Sequence, residues 1–391
     1  MKAIKIKDDI YFVGAFDFNL RNFHGLDVET GTTYGAYLII DEKVTLIDAV
    51  KPGFENELIS RISSVIDPKK IDVIIANHGE PDHSGTVKFL HELAPKAKIY
   101  ASVNGEKSLK GIFGDDLPVI AVKNGETLNI GKRTLTFYHT QMVHWPDNMV
   151  TYSEFDKVLF SNDVFGQHFA PSKLFDSFYP KERILYEAKK YYVNIVNPYN
   201  KMAKKALEAL GGLDIELIAT AHGVIFKDYI PDVKALYASL VNNEKQNKAV
   251  VVYDSMWGST KLMAKAIAEA FIEKGIQVHL FNVNESDQSI IFTEVVDAKY
   301  LAIGSPTFNN GILPSIAGFL TYIKGLLPQN MKTIAFGSYG WGGQSPSIIE
   351  KELKEIGLEP LVPPIKQYFS THNEDFDRIK QTVIEALDQI V

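Results

Sequence analysis

Beyond residue 249 the chain alternates short apolar runs with amphipathic segments, and that alternation restricts its second part to one kind of fold. Residues 249–253 read as a buried strand and 260–274 as a helix with one apolar face. Strands at 277–282, 300–304 and 333–336 follow, with helices at 316–326, 347–356 and 379–390. Strands separated by helices need crossovers, so they predict a parallel, doubly wound sheet. The first part reads differently. Strands at 10–13, 37–40, 44–48, 71–76, 99–101, 119–121, 135–138, 158–160 and 217–220 mix with helices at 55–65, 85–93, 181–192 and 201–210. This predicts a mixed α/β layer protein. The polar stretch Asn242-Asn243-Glu244-Lys245-Gln246-Asn247-Lys248 lies between. The expected domains are therefore 1–245 and 249–391.

Composition removes several function classes. The 391 residues include no cysteine. That excludes disulfides, thiol nucleophiles, Cys-ligated zinc, iron–sulfur clusters and a fused Cys-ligated iron site. Any metal must be held by His, Asp and Glu, and any redox chemistry needs a bound cofactor. The net charge of −7 argues against nucleic-acid and anionic-membrane partners. No apolar stretch approaches the ~20 residues that cross a bilayer. The first residues, Met1-Lys2-Ala3-Ile4-Lys5, are too polar for a secretion signal, so a cytoplasmic location is expected.

The densest chemistry is His78-Gly79-Glu80-Pro81-Asp82-His83, directly after the apolar run at 71–76. In extended chain, residues two apart face the same way, so His78, Glu80 and Asp82 can converge, with His83 at the turn. His144, Asp163 and His222 follow later predicted strands, where sites of α/β sheets gather. Singly, each is an ordinary hydrogen-bonded loop residue; together they form a candidate two-metal set. Nitrogen and carboxylate ligands without sulfur suit zinc, manganese or non-haem iron.

A second constellation lies in 249–391. The strand at 249–253 feeds Ser255, Met256, Trp257, Gly258, Ser259 and Thr260, and then a helix. Hydroxyls and free N–H groups at a helix N-terminus make an anion site. Neither a P-loop lysine nor Gly-x-Gly-x-x-Gly is present, so a single phosphomonoester such as that of FMN fits best. Two more loops, around Pro306, Thr307, Phe308 and Asn309 and around Ser338, Tyr339, Gly340, Trp341, Gly342 and Gly343, mix glycines with aromatics after later strands.

The His-x-Glu-x-Asp-His loop with its later His, Asp and His resembles the metallo-β-lactamase fold, and Glu80 in place of the usual zinc-ligating His is the variant of flavodiiron proteins. Arg21-Asn22-Phe23-His24-Gly25, His144-Trp145-Pro146-Asp147 and Asn162-Asp163-Val164-Phe165-Gly166-Gln167-His168 also resemble that family. The three later loops resemble flavodoxin. The resemblance spans essentially the whole chain. It implies a metallo-β-lactamase-like αββα sandwich followed by a flavodoxin-like doubly wound sheet.

It further implies two non-haem irons, with His78, Glu80 and His144 on one, Asp82 and His222 on the other, Asp163 bridging, and His83 as a further ligand or an outer group. His24 would lie by the substrate pocket. Ser255 to Thr260 would hold the FMN phosphate, and the two later loops would bracket its ring. The implied activity is reduction of O2 to water or NO to N2O, with electrons from rubredoxin, a flavin reductase or a reduced deazaflavin such as F420. A head-to-tail homodimer, or a dimer of dimers, is implied with it. The alternative is a dinuclear zinc hydrolase with a regulatory flavodoxin domain.

Overall fold

Val73, Ile74, Ile75 and Ala76 form a strand that is buried at every position, because layers cover both of its faces. The structure is a computed structural model and describes residues 1–23 and 25–390. It divides into two units, Met1–Val241 and Asn242–Val391.

In the first unit a seven-stranded sheet runs Ile4–Lys7, Ile10–Phe12, Tyr37–Ile39, Thr45–Ile47, Val73–Ala76, Lys98–Ser102, Val119–Val122. Its first four strands are antiparallel neighbours and its last four parallel. A five-stranded sheet packs on it, in the order Thr127–Asn129, Thr134–His139, Met149–Ser153, Val158–Asn162, Leu217–Thr220. Phe12, Ile39, Val73 and Ile75 share a core with Phe137, Val158, Phe160 and Leu217 of that second sheet. The alternate residues Leu38, Leu46, Ile74 and Ile99 point the other way, onto Leu58, Ile62, Leu90 and Leu109 of the helices Glu55–Ser63, Val87–Leu93 and Val103–Phe113. A period of two thus divides each strand between two cores. The helices Lys181–Ile195, Asn200–Leu210 and Ile230–Val241 supply the remaining layer of the αββα sandwich.

Some elements leave no clear trace in the sequence. Helix Val103–Phe113 is interrupted by Gly105 and Gly111, yet Ser102 caps it by accepting from the Gly105 N–H at 2.9 Å. Strand Met149–Ser153 carries polar residues that are wholly buried, because Thr151 donates to Asn77 and Ser153 to Asp156. The helix expected at 85–93 begins at Val87, and a short helix that was not expected, Pro81–Ser84, precedes it. They part at Gly85, where a β-carbon would lie 2.4 Å from the Pro52 ring.

The second unit is a parallel sheet in the order Gln277–Asn282, Gln246–Tyr253, Ala298–Gly304, Lys332–Tyr339, with Glu359–Pro360 and Ile365–Tyr368 both paired to the last. Helices Ser259–Glu273 and Asn373–Asp388 cover one face through Met263, Ile267, Phe271, Ile379 and Val383. The first strand begins at Gln246, inside the expected linker. Lys248 is buried there because its ammonium meets Glu294 at 2.8 Å and Asp297 at 2.5 Å. A charge read as a solvated linker is thus neutralised by acids distant in sequence. No described helix is long and apolar enough to cross a membrane.

Candidate functional site

The metal candidates of the first unit stand on strand ends of both sheets. His78 and Glu80 follow Val73–Ala76, Pro81–Ser84 carries Asp82 and His83, and Asp163 and His222 follow Val158–Asn162 and Leu217–Thr220. All are buried except His144, which keeps 12% of its side chain open. They gather into two groups, His78 with Glu80, His144 and Asp163, and Asp82 with His83 and His222.

In the first group Glu80 Oε2 lies 3.2 Å from both His78 Nε2 and His144 Nε2, and Asp163 Oδ2 lies 3.5 Å from the same two nitrogens. In the second, Asp82 Oδ2 is 3.2 Å from His83 Nε2 and 3.1 Å from His222 Nε2. Asp163 presents its other oxygen, Oδ1, to that pair at 3.0 and 3.5 Å. Atoms about 2.1 Å from one metal at 90–110° lie roughly 3.0–3.4 Å apart, so the spacings suit a metal at each centre. Both oxygens of Asp82 and Asp163 and both ring nitrogens of His83 are buried without a hydrogen-bond partner. Burying such groups is costly unless a cation meets them, so the residues fit a metal pair. The structure thus brings His83 fully into the second group.

The flavin-loop candidates crowd the carboxyl end of the second sheet. Gly258, at φ 90°, turns the chain into helix Ser259–Glu273, whose first turn has no side-chain cap. The loops are tied to one another. Thr260 Oγ1 and Ser338 Oγ lie 2.9 Å apart, and Thr307 N donates to the Ser338 carbonyl at 2.8 Å. Phe308 and Gly311 exchange two backbone bonds around Asn309 and Asn310, both at positive φ, a tight primed-type turn. Trp257 and Trp341 are 92% and 82% exposed, an unusual state for indoles. An uncapped helix end and uncovered rings suit a flavin phosphate and ring. Sequence reasoning overlooked the segment after Ile365–Tyr368, where the Phe369 carbonyl accepts from Ser259 Oγ at 2.8 Å.

Residues 33–223 match the ODP family beta lactamase model and residues 251–380 the flavodoxin model. The chain is 44% identical to rubredoxin-oxygen oxidoreductase of Megalodesulfovibrio gigas, over 99% of this chain and 98% of that one. It is 40% identical to a nitric oxide reductase of Moorella thermoacetica, over 93% and 92%. The crystal structure of the flavodiiron protein from Giardia intestinalis superposes with a TM-score of 0.96 at 31% identity, covering 100% of this chain and 97% of that one. The chain belongs to the flavodiiron family.

Around the metal groups this flavodiiron protein supplies supports that sequence reading did not assign. His78 Nδ1 donates to Asp147 at 3.0 Å, and the Gly79 N–H reaches the other Asp147 oxygen at 2.8 Å. His222 Nδ1 donates to the Thr33 carbonyl at 2.7 Å. Each bond fixes the tautomer and would leave Nε2 to face a metal. Beneath them, buried Asp48 accepts from Asn77 N at 2.7 Å and from Asn162 Nδ2 at 3.2 Å, joining the residues just before His78 and Asp163. Asn77 and Asn162 are polar groups ending apolar strands, a weak signal that could have flagged them. His24 lies outside the described residues.

Burial opposes charge on His78, yet Asp147 and Glu80 outweigh it and hold its pKa up at about 10. Against the same burial, Asp163 and Asp82 hold His83 at about 9, and Asp163 and Glu80 hold His144 at about 9. Burial likewise pushes the Asp163 carboxyl up, but His83, His144 and His78 carry it well below the usual range. Without metal the imidazoles are therefore protonated at neutral pH, and a metal must displace those protons. Ferrous uptake by metal-free protein is expected to release protons and to strengthen as pH rises toward 9. A pH-stat titration checks this, and uptake independent of pH contradicts it. Because these pKa values lie above the unfolded ~6.5, the stability they lend the metal-free fold is full below that value and is lost as pH climbs through about 9–10.

Proposed function

We propose that this flavodiiron protein passes electrons from an external donor through FMN to two irons that reduce a small gas, O2 to water or NO to N2O. In this reading His78, Glu80 and His144 hold one iron, Asp82, His83 and His222 the other, and Asp163 bridges. What carries it is the division of one carboxylate, Asp163 Oδ2 facing the first group and Oδ1 the second. When bound, FMN and the iron pair together supply the electrons for complete reduction of the gas.

The chain's own residues do the rest. Asp147 and the Thr33 carbonyl orient His78 and His222, Asp48 holds two ligand-bearing strand ends in register, and burial keeps bulk water from the ligands. In the second unit Ser255, Met256, Trp257, Gly258, Ser259 and Thr260 would take the flavin phosphate. Pro306, Thr307, Phe308 and Asn309 would flank the ring on one side, and Ser338, Tyr339, Gly340, Trp341, Gly342 and Gly343 on the other. The relative named rubredoxin-oxygen oxidoreductase supports a rubredoxin-type donor. The relatives named for oxygen and for nitric oxide make both gases candidates.

Flavin and iron lie in separate units, and a head-to-tail homodimer would pair each flavin with the partner's irons through one self-complementary interface. Glu80, a carboxylate where zinc hydrolases place an imidazole, weighs against the hydrolase reading. Iron analysis of protein made without added metal, with gas consumption by the reduced protein, tests the proposal. Two irons per chain and rapid loss of at least one gas are expected. Zinc in their place, with neither gas consumed, would overturn it.

A further inference from the structure

The three stretches that would surround the flavin, 255–260, 306–311 and 338–343, contain no Lys, Arg, His, Asp or Glu. Two charged residues adjoin them in sequence, Asp254 and Lys261. Lys261 is exposed, whereas Asp254, at the carboxyl end of strand Gln246–Tyr253, keeps only 8% of its surface open.

Both Asp254 oxygens are held. Oδ1 accepts from the Ser255 N–H at 2.6 Å, and Oδ2 accepts from the Ser315 hydroxyl. Its own N–H donates to the Gly304 carbonyl at 3.1 Å. Ser315 belongs to the first turn of helix Pro314–Leu326, whose N-cap, Leu313, makes no side-chain bond, so the carboxylate also meets the partly positive end of that helix. Among the described residues no cation pairs with it. Lys248, on the same strand, is the contrast, since Glu294 and Asp297 neutralise it. Hydrogen bonds and a helix end make the burial of Asp254 bearable and fix its place, but they leave its net charge intact. A net charge in a poorly screened setting acts on any charge that arrives nearby.

We propose that Asp254 sets the reducing strength of the flavin: its buried charge opposes electrons arriving on FMN and so makes the reduced flavin a stronger donor. Ser255 and Ser315 are the residues that position the charge. This role rests on the flavin-loop reading, which FMN uptake tests separately.

The test uses full-length protein carrying its irons and loaded with FMN. It is reduced stepwise without oxygen while the flavin absorbance reports the midpoint potential. Asp254→Asn keeps the shape and removes the charge. It is expected to bind FMN at least as tightly as the wild type and to shift the reduction equilibrium about tenfold toward reduced flavin, which is ~59 mV upward for a one-electron step. Asp254→Ser, a second neutral side chain that can accept a hydrogen bond, is expected to move the potential the same way, and it decides the matter where the Asn protein does not fold. Ser315→Ala removes one tie but keeps the charge, and is expected not to raise the potential. FMN bound at an unchanged potential in the neutral variants overturns the proposal. An equal rise in Ser315→Ala also overturns it, since loop geometry and not charge would then set the potential. Loss of FMN from both neutral variants overturns it as well, because Asp254 would then be a prop for the loop. A wild-type chain that takes up no FMN overturns the flavin-loop reading instead.

Discussion

Asp163→Ala is expected to strip metal from both positions and abolish turnover, because one carboxylate serves both ligand groups. Removing a mere outer support of a metal ligand weakens affinity ~10–100-fold, so loss of a shared ligand is expected to exceed ~100-fold at each position. Asp147→Ala, which removes the acceptor of both His78 Nδ1 and the Gly79 N–H but no proposed metal ligand, supplies the milder comparison. Iron per chain, measured on folded protein after gel filtration, is the readout. Two irons retained in Asp163→Ala would refute the bridge. The same variant tests the dimer. Mixed with a Gly258→Asp chain, which places a β-carbon at φ 90° and a negative charge at the phosphate loop, it is expected to recover part of the activity in heterodimers. Confirmed heterodimers without recovery would mean that electrons pass within one chain.

With NADH as sole reductant the pure protein is expected to consume O2 slowly, and a small carrier such as rubredoxin with its reductase to raise the rate by orders of magnitude. The chain has no Gly-x-Gly-x-x-Gly loop to seat a dinucleotide and no cysteine to hold a fused iron site. The loops proposed for the flavin, with the neighbouring segment after Ile365–Tyr368, instead expose Met256, Trp257, Trp341, Tyr368 and Phe369, an apolar rim suited to brief docking. At a net charge of −7 the overall field repels another acidic protein, so moderate salt is expected to quicken reaction with an acidic carrier. Rapid catalysis by NADH alone would contradict the carrier requirement, and a steep fall with salt would contradict apolar docking.

Much of this molecule was legible without coordinates. The strand at 71–76 and the helix at 260–274 announce themselves through periodicity, which depends on neighbours at most four residues away. The loop from His78 to His83 and the one from Ser255 to Thr260 stand out through residue types packed into a few positions. The boundary near residue 245 was less legible. Lys248 reads as a solvent-facing charge until Glu294 and Asp297 are brought to it, and only then can Gln246–Tyr253 begin as a buried strand.

The sequence by itself determined the element types, the division into two α/β parts and which residue types are offered to a metal and to a phosphate. Tertiary structure alone decided the aim of each side chain. His83 could face the metal or turn away; its 3.0 Å approach to Asp163 Oδ1 depends on a residue 80 positions later. His222 uses Nε2 because the Thr33 carbonyl, 189 residues earlier, takes Nδ1. Asp48 joins Asn77 and Asn162 from different sheets. Such choices follow from partners distant along the chain, and backbone propensity and side-chain pattern carry no information about a partner until the fold has placed it.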